Sequence, residues 1–212
     1  GAWWAYDYAA AKQGRVGKHP ILKSGLHSDG FFVSKILLGL ENIQVILVDQ
    51  LVMRVLERLH WIAPRYVSGV PDSATVLGSA VAKTLGAREV QMRKENGRVV
   101  LESDTSSGTP VFVLLVEDVC TRGTGFAEAA REIRSKWPSA GILPYDPVIL
   151  NRGGLREFQV EGIGTFTILP IAERRIQDWT PEICPLCERG STPIKPKVSE
   201  ESWQSLITSQ LE

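Results

Sequence analysis

Two adjacent carboxylates, Glu117 and Asp118, close an apolar run and are followed by Thr121, Arg122, Gly123, Thr124 and Gly125. Carboxylates accept hydrogen bonds from hydroxyl groups. A turn rich in glycine and threonine that opens a helix offers an anion unpaired N–H groups, two hydroxyls and the helix dipole, the dipole contributing about 0.3 to 1 kcal/mol. The acids would repel a phosphate, so the two halves suit one ligand with two ends: a polyhydroxylated sugar at Glu117 and Asp118, with its phosphate in the turn. Glycine-loop alternatives fail on spacing, because Glu128 stands where a third dinucleotide-binding glycine belongs and no glycine-lysine-hydroxyl triplet is present. A buried strand leading into a capped helix, with the acids merely solvated, is the structural alternative, although adjacent carboxylates in that position are uncommon without a ligand.

Other residues with chemical potential lie in short segments. Lys23, His27, Phe31 and Phe32 place a cation, a histidine and two stackable rings close together, which suits a planar anionic ligand or, equally, a loop with two core phenylalanines. Cys184-Pro185-Leu186-Cys187 has the spacing of half a zinc site, but a structural site needs four ligands and no second pair is visible. His19, His27 and His60 are not metal-spaced. Two chains pooling their pairs across a symmetry axis would complete a site; a reduced structural pair is the alternative, and no thioredoxin-like context supports a redox role. Cys120 reads as a small apolar filler.

These residues need elements to hold them. Val113 to Val116 is an apolar run of the kind found in a buried parallel strand, and Phe126, Ala129, Ala130, Ile133 and Trp137 share one face of the helix that follows. Upstream, Ile43, Ile46, Leu47, Leu51, Val55 and Leu59 predict a helix over Glu41 to Leu59. Tyr66 to Val70 predicts a strand, and Leu77, Ala80, Val81 and Leu85 a helix closed by Gly86. Glu89 to Lys94 and Arg98 to Leu101 flank Asn96-Gly97, a strong hairpin signal, and Ser103 to Pro110 reads as loop. Pro147 to Leu150 and Thr165 to Ile171 supply further strands around Asn151-Arg152-Gly153-Gly154. Strands alternating with helices predict an α/β fold with a mostly parallel, doubly wound sheet, whose ligand crevice lies beyond the carboxyl ends of the strands. The expected organisation is a small N-terminal hood over residues 1–40, a core over 41–178, and a C-terminal appendage over 179–212. In that appendage Trp203, Leu206, Ile207 and Leu211 share a helix face.

The 212 residues balance 24 Lys and Arg against 24 Asp and Glu, which argues against a general nucleic-acid binder or a protein drawn to anionic membranes. No apolar run approaches the roughly 18 residues of a membrane span, no signal peptide is visible, and three cysteines suggest no disulfide framework. The expectation is a cytoplasmic protein.

The Val113–Gly125 stretch resembles the phosphoribosyl diphosphate (PRPP) signature of the type I phosphoribosyltransferases, and four further segments make the likeness closest to orotate phosphoribosyltransferases, over roughly Ile21 to Gly164. Leu22-Lys23-Ser24-Gly25-Leu26-His27-Ser28-Asp29-Gly30-Phe31-Phe32 resembles that family's amino-terminal motif, which implies Lys23 on the pyrophosphate side and Phe31 and Phe32 bordering the base. Ser68 to Ala74 resembles the pyrophosphate loop, with Val70, Pro71 and Asp72 at the donor. Met92-Arg93-Lys94-Glu95 resembles the start of the mobile catalytic loop, whose basic residues contact phosphate and pyrophosphate. Asn151 to Gly154 resembles the stretch whose arginine, here Arg152, pairs with the orotate carboxylate. One departure stands out: the family continues after that glutamate with a further lysine and a histidine-glycine, whereas this chain goes straight to Asn96-Gly97. The lid is shortened, and Lys94 takes the catalytic lysine's role only as a hypothesis.

The resemblance implies transfer of 5-phosphoribosyl from PRPP to a nucleobase, orotate favoured, giving orotidine monophosphate and pyrophosphate in pyrimidine biosynthesis. Mg²⁺ would arrive on the donor without a direct protein ligand, and the chain would form a homodimer. Glu117 and Asp118 would hold the ribose hydroxyls, and Thr121 to Gly125 the 5-phosphate. A PRPP-binding regulator or inactive subunit with a clipped lid, and a transferase for another base, are the rival readings.

Overall fold

The computed structural model describes every residue except 60–61, 103–109 and 212. The loop read at Ser103 to Pro110 thus lies outside the described residues apart from Pro110, as do His60 and Trp61. The chain forms two compact units, Leu37–Arg175 and a second built from both ends, Gly1–Ile36 with Ile176–Glu212. The segments expected as a separate hood and appendage therefore fold together.

In the larger unit the apolar run becomes the central strand, Val111–Cys120, flanked on one side by Tyr66–Gly69 and on the other by Ala140–Ile142 and Tyr145–Asn151. Gly164–Glu173 continues the parallel sheet, and Glu157–Val160 joins it antiparallel at the edge. Two of these strands, Ala140–Ile142 and Glu157–Val160, are additions to the sequence reading. Alternation along the central strand sends Val113 and Leu115 into a core with Phe126, Ala129, Ala130, Ile133 and Trp137 of the helix Thr124–Lys136 and its cap. Leu114 and Val116, also fully buried, face the opposite side of the sheet. Apolar burial on both faces is what a doubly wound sheet requires.

The helix Glu41–Leu59 has the expected bounds but a rotated face. Val48, Leu51, Val52, Val55 and Leu59 are buried, while Ile46, expected inward, is exposed with Val45, Met53 and Leu56. The helix is apolar on more than one side, so periodicity alone does not choose which stripe the sheet covers. The helix Thr75–Leu85 ends, as expected, on Gly86 in the left-handed conformation. The Asn96-Gly97 hairpin also forms: Met92–Glu95 pairs with Arg98–Leu101, and both turn residues have positive φ. Among the described residues, no helix is long and apolar enough to cross a membrane.

The smaller unit is held by strands paired across its two chain segments, Thr192–Ile194 with Lys18–Pro20 and Asp178–Trp179 with His27–Ser28. The side-chain amide of Gln210 donates to the carbonyls of Asp7 and Arg15, and its oxygen accepts from the Asp7 N–H. Trp4, Tyr6, Phe31, Leu186, Trp203 and Leu206 form its core. Of the face expected in the terminal helix, Glu200–Thr208, Trp203 and Leu206 are buried but Leu211 lies beyond its end and is exposed.

Candidate functional site

The turn after the central strand opens the helix Thr124–Lys136 through a glycine. Gly123, at φ +69°, caps the helix Thr124–Lys136 with no side-chain hydrogen bond of its own, and of the first turn's donors the Phe126 N–H is taken by Glu117. A side chain at Gly123 would meet the ring of Phe158, so only glycine lets this turn lie against the core. Thr124 and Arg122 are exposed and Thr121 is half-buried.

Glu117 and Asp118 do not share a role, and here the expectation of a carboxylate pair facing one sugar is corrected. The strand persists to Cys120, so consecutive side chains leave opposite faces. Asp118 is half-buried at the strand end, whereas Glu117 is buried, accepts a hydrogen bond from the Phe126 N–H in the first turn of the helix, and lies beside Asp146. Glu117, Cys120 and Asp146 bring their polar atoms within 4.8 Å of one another. Written as carboxylates, Glu117 Oε2 and both oxygens of Asp146 have no hydrogen-bond partner. A retained proton resolves this: burial, reinforced by the neighbouring charges of Asp146 and Asp118, pushes the Glu117 carboxyl well above its usual range, and burial raises Asp146 to about 7. Glu117 in its protonated form donates to Asp146 and, through the Phe126 N–H, braces the start of the helix Thr124–Lys136 from below. Asp146 escaped the sequence reading because that strand was started at Pro147; a lone acid in an otherwise apolar strand was the available signal.

Two further loops reach the same strand ends. The Arg152 N–H donates to the Cys120 carbonyl at 2.8 Å, and Gly153 lies so close to Thr121 that a Cβ would overlap the Thr121 carbonyl. Asn151, buried, fastens this loop by accepting from the Gly154 N–H at 3.1 Å and donating to the Leu155 carbonyl at 2.7 Å. On the other side, the Val70 N–H donates to Val116, with Val70 and Pro71 buried and Asp72 exposed; the Pro71–Asp72 peptide is cis. That loop is compact because Gly69 and Gly78 bring their backbones into contact, and a Cβ on either would overlap main-chain atoms. The structure thus gathers Val70 to Asp72, Asp118, Thr121 to Gly125 and Arg152 at neighbouring strand ends.

Other expected residues are placed differently. Arg93 is half-exposed and paired with Glu102 at 2.8 Å and Glu95 at 3.2 Å, so its charge is already answered within the hairpin; Lys94 is half-buried. In the smaller unit Lys23 is exposed and Phe32 half-buried. Phe31 is buried, its ring 6.0 Å from that of Trp203, so it is a core residue and not a free face for a base. Cys184 and Cys187 are not half a site on their own. His19 and His27 converge on them, the four potential ligand atoms all lying within 4.8 Å of one another, which corrects the reading that these histidines are not metal-spaced. His19 is fully buried, and burial with the neighbouring His27 pushes its imidazole down to about 4, in the neutral form.

No family model matches the chain. In sequence it is 28% identical over 183 residues to the orotate phosphoribosyltransferase of Acidithiobacillus ferrooxidans, covering 84% of this chain and 87% of that protein. It is 25% identical over 193 residues to that of Carboxydothermus hydrogenoformans, covering 90% and 95%. Among solved structures, orotate phosphoribosyltransferase from Aeropyrum pernix superposes with a TM-score of 0.57 at 22% identity, over 77% of this chain and 93% of that one. The fold is that of the type I phosphoribosyltransferases. Adenine phosphoribosyltransferase from Rhodothermus marinus shares this phosphoribosyltransferase fold, with a TM-score of 0.54 at 14% identity, over 79% and 100%.

Proposed function

We propose that this protein transfers 5-phosphoribosyl from the magnesium complex of PRPP to the ring nitrogen of a nucleobase, orotate, releasing pyrophosphate and forming orotidine monophosphate. The observation that carries this reading is the glycine-capped turn Thr121–Gly125 beside Asp118, with the Arg152 loop hydrogen-bonded to the same strand end. Curated relatives of similar length that bear the orotate phosphoribosyltransferase name support it.

In the reaction the ribose C1–oxygen bond to pyrophosphate breaks and its electron pair leaves with pyrophosphate, while the ring nitrogen bonds to C1 and gives up its proton to solvent. Positive charge grows on the sugar as negative charge grows on the leaving group. Asp118 holds the ribose hydroxyls and sets a negative field at the cationic sugar, with Glu117 acting through the phosphate turn it braces. The backbone donors and hydroxyls of Thr121 to Gly125 anchor the 5-phosphate and so fix C1 in line. The small-residue loop Val70–Asp72 receives the diphosphate. Mg²⁺ carried by the donor would neutralise the charge developing on the diphosphate. Arg152 supplies a bidentate fork for a planar carboxylate. The exposed Ile46, Met53 and Leu56 support a homodimer.

A second reading has its own support. The hairpin that stands for the catalytic lid turns in two residues, and its Arg93 is tied to Glu95 and Glu102, which favours a PRPP-binding protein without turnover. Pyrophosphate release from Mg-PRPP with a panel of bases decides: orotate-dependent release establishes the transferase, release with another base changes the acceptor, and PRPP binding with no release on any base establishes the second reading.

A further inference from the structure

We propose that His19, His27, Cys184 and Cys187 bind a structural Zn²⁺ that pins the two ends of the chain together. A tetrahedral zinc with Zn–N near 2.0 to 2.1 Å and Zn–S near 2.3 Å has ligand edges of about 3.3 to 3.8 Å. Four edges of the cluster measure 3.0 Å (His19 Nε2 to His27 Nδ1), 3.6 Å (His19 Nε2 to Cys184 Sγ), 3.5 Å (His19 Nε2 to Cys187 Sγ) and 3.3 Å (His27 Nδ1 to Cys187 Sγ). The three edges that include a sulfur lie within that range, and the His19–His27 edge is shorter by about 0.3 Å, so a small opening of the two rings places all four ligands around a common centre.

The hydrogen bonding points the same way. The Ser191 hydroxyl donates to the Gly17 carbonyl at 3.2 Å, so its oxygen is open to accept from the His19 Nδ1–H at 2.9 Å. That assigns the tautomer: His19 Nε2 is a bare lone pair, and three potential ligand atoms crowd it. One lone pair accepts one proton well, whereas a single cation satisfies all four atoms. Ser191 then plays the outer-shell part that orients a ligating imidazole. Two thiolates and two neutral imidazoles cancel the +2 charge, so the buried site is neutral once binding has released the two thiol protons to solvent. His19, His27 and Cys184 are buried, leaving no open position and making the site structural.

The metal joins the strand Lys18–Pro20 and His27 to the short helix Pro185–Glu188, whose N-cap is Cys184. A small unit assembled from two remote segments is the kind of core that needs such a staple. His19 and His27 also bracket a tight loop, closed by Leu22 N–H to Leu26 O at 2.7 Å and Gly25 N–H to Leu22 O at 2.9 Å, that carries Lys23 at its exposed tip. The metal therefore sets the base of the Lys23 loop, and zinc binding does not rest on the proposed function.

Elemental analysis of the full chain purified from zinc-replete cells tests the site, with an expectation of about one zinc per chain, falling at least about fivefold in Cys184→Ser/Cys187→Ser. Because that variant could fail to fold, wild-type protein stripped by chelator and reloaded with Co²⁺ provides a second readout: strong visible bands of tetrahedral cobalt with thiolate charge transfer. Sub-stoichiometric zinc, a pale six-coordinate cobalt spectrum, a double variant that retains its zinc, or a metal-free chain with a Cys184–Cys187 disulfide would each overturn the proposal. Asp118→Asn should keep the zinc whatever it does to turnover, so failure of the transferase reading and failure of the metal site are told apart.

Discussion

The Arg152 N–H donates to the Cys120 carbonyl at 2.8 Å, so the proposed base-recognition loop hangs from the strand end that carries the proposed sugar acid.

Arg152→Ala removes the guanidinium but keeps this main-chain bond. Loss of charge-assisted hydrogen bonds, about 1.5 to 3 kcal/mol each, predicts a KM for orotate raised roughly tenfold to a hundredfold with the PRPP KM little changed. Steady-state kinetics with each substrate varied checks this, and equal effects on both would rule out base recognition.

Asp118 and Glu117 should separate under conservative substitution. Asp118→Asn keeps the shape and removes the negative field, so kcat should fall by about a hundredfold while PRPP binding, measured by calorimetry, persists. Glu117→Gln retains a group able to donate to Asp146, so its kcat should change by less than about tenfold. Equal losses in the two variants would contradict the division of roles.

Stability should decline as pH rises. Asp146, at about 7 in the folded protein against about 3.9 in an unfolded chain, keeps a proton that the unfolded state has already released, and Glu117 is shifted in the same direction. The contribution is fully present below about pH 4 and is lost as pH climbs through about 7. Denaturant titrations across that range should show the decline in wild type and a flatter profile in Asp146→Asn. Parallel profiles, or stability that increases with pH, would refute the shared-proton account.

Gly78→Ala should be costly although Gly78 lies in a helix, where alanine is otherwise preferred. Its Cβ would collide with the main chain of Gly69, forcing apart the strand and helix that hold the loop proposed to receive pyrophosphate. A loss of about 1 to 3 kcal/mol is expected in denaturant unfolding, together with weaker PRPP binding. Unchanged stability would mean that the two backbones are not in contact.

Much of the larger unit was legible because local signals agree there: an apolar run, an amphipathic helix, Gly86 as a stop and Asn96-Gly97 as a turn. The face of Glu41–Leu59 was not legible, since a helix with apolar residues on several sides leaves the choice of stripe to its neighbours. Adjacency in sequence also misled at Glu117 and Asp118. Read as a pair, they are divided by the two-residue period of a strand that runs on to Cys120, and only the fold supplies Asp146 as the partner of the first.

The chain's linear order determined the parallel sheet, the glycine- and threonine-rich turn after its central strand and the resemblance to phosphoribosyltransferases, because each depends on residues within a few positions of one another. Tertiary structure alone decided that Phe31 is core, that Glu117 braces the turn from beneath, and that His19 and His27 meet Cys184 and Cys187. Those contacts join residues far apart in the chain, and no local periodicity encodes which distant side chains folding will bring to the same point.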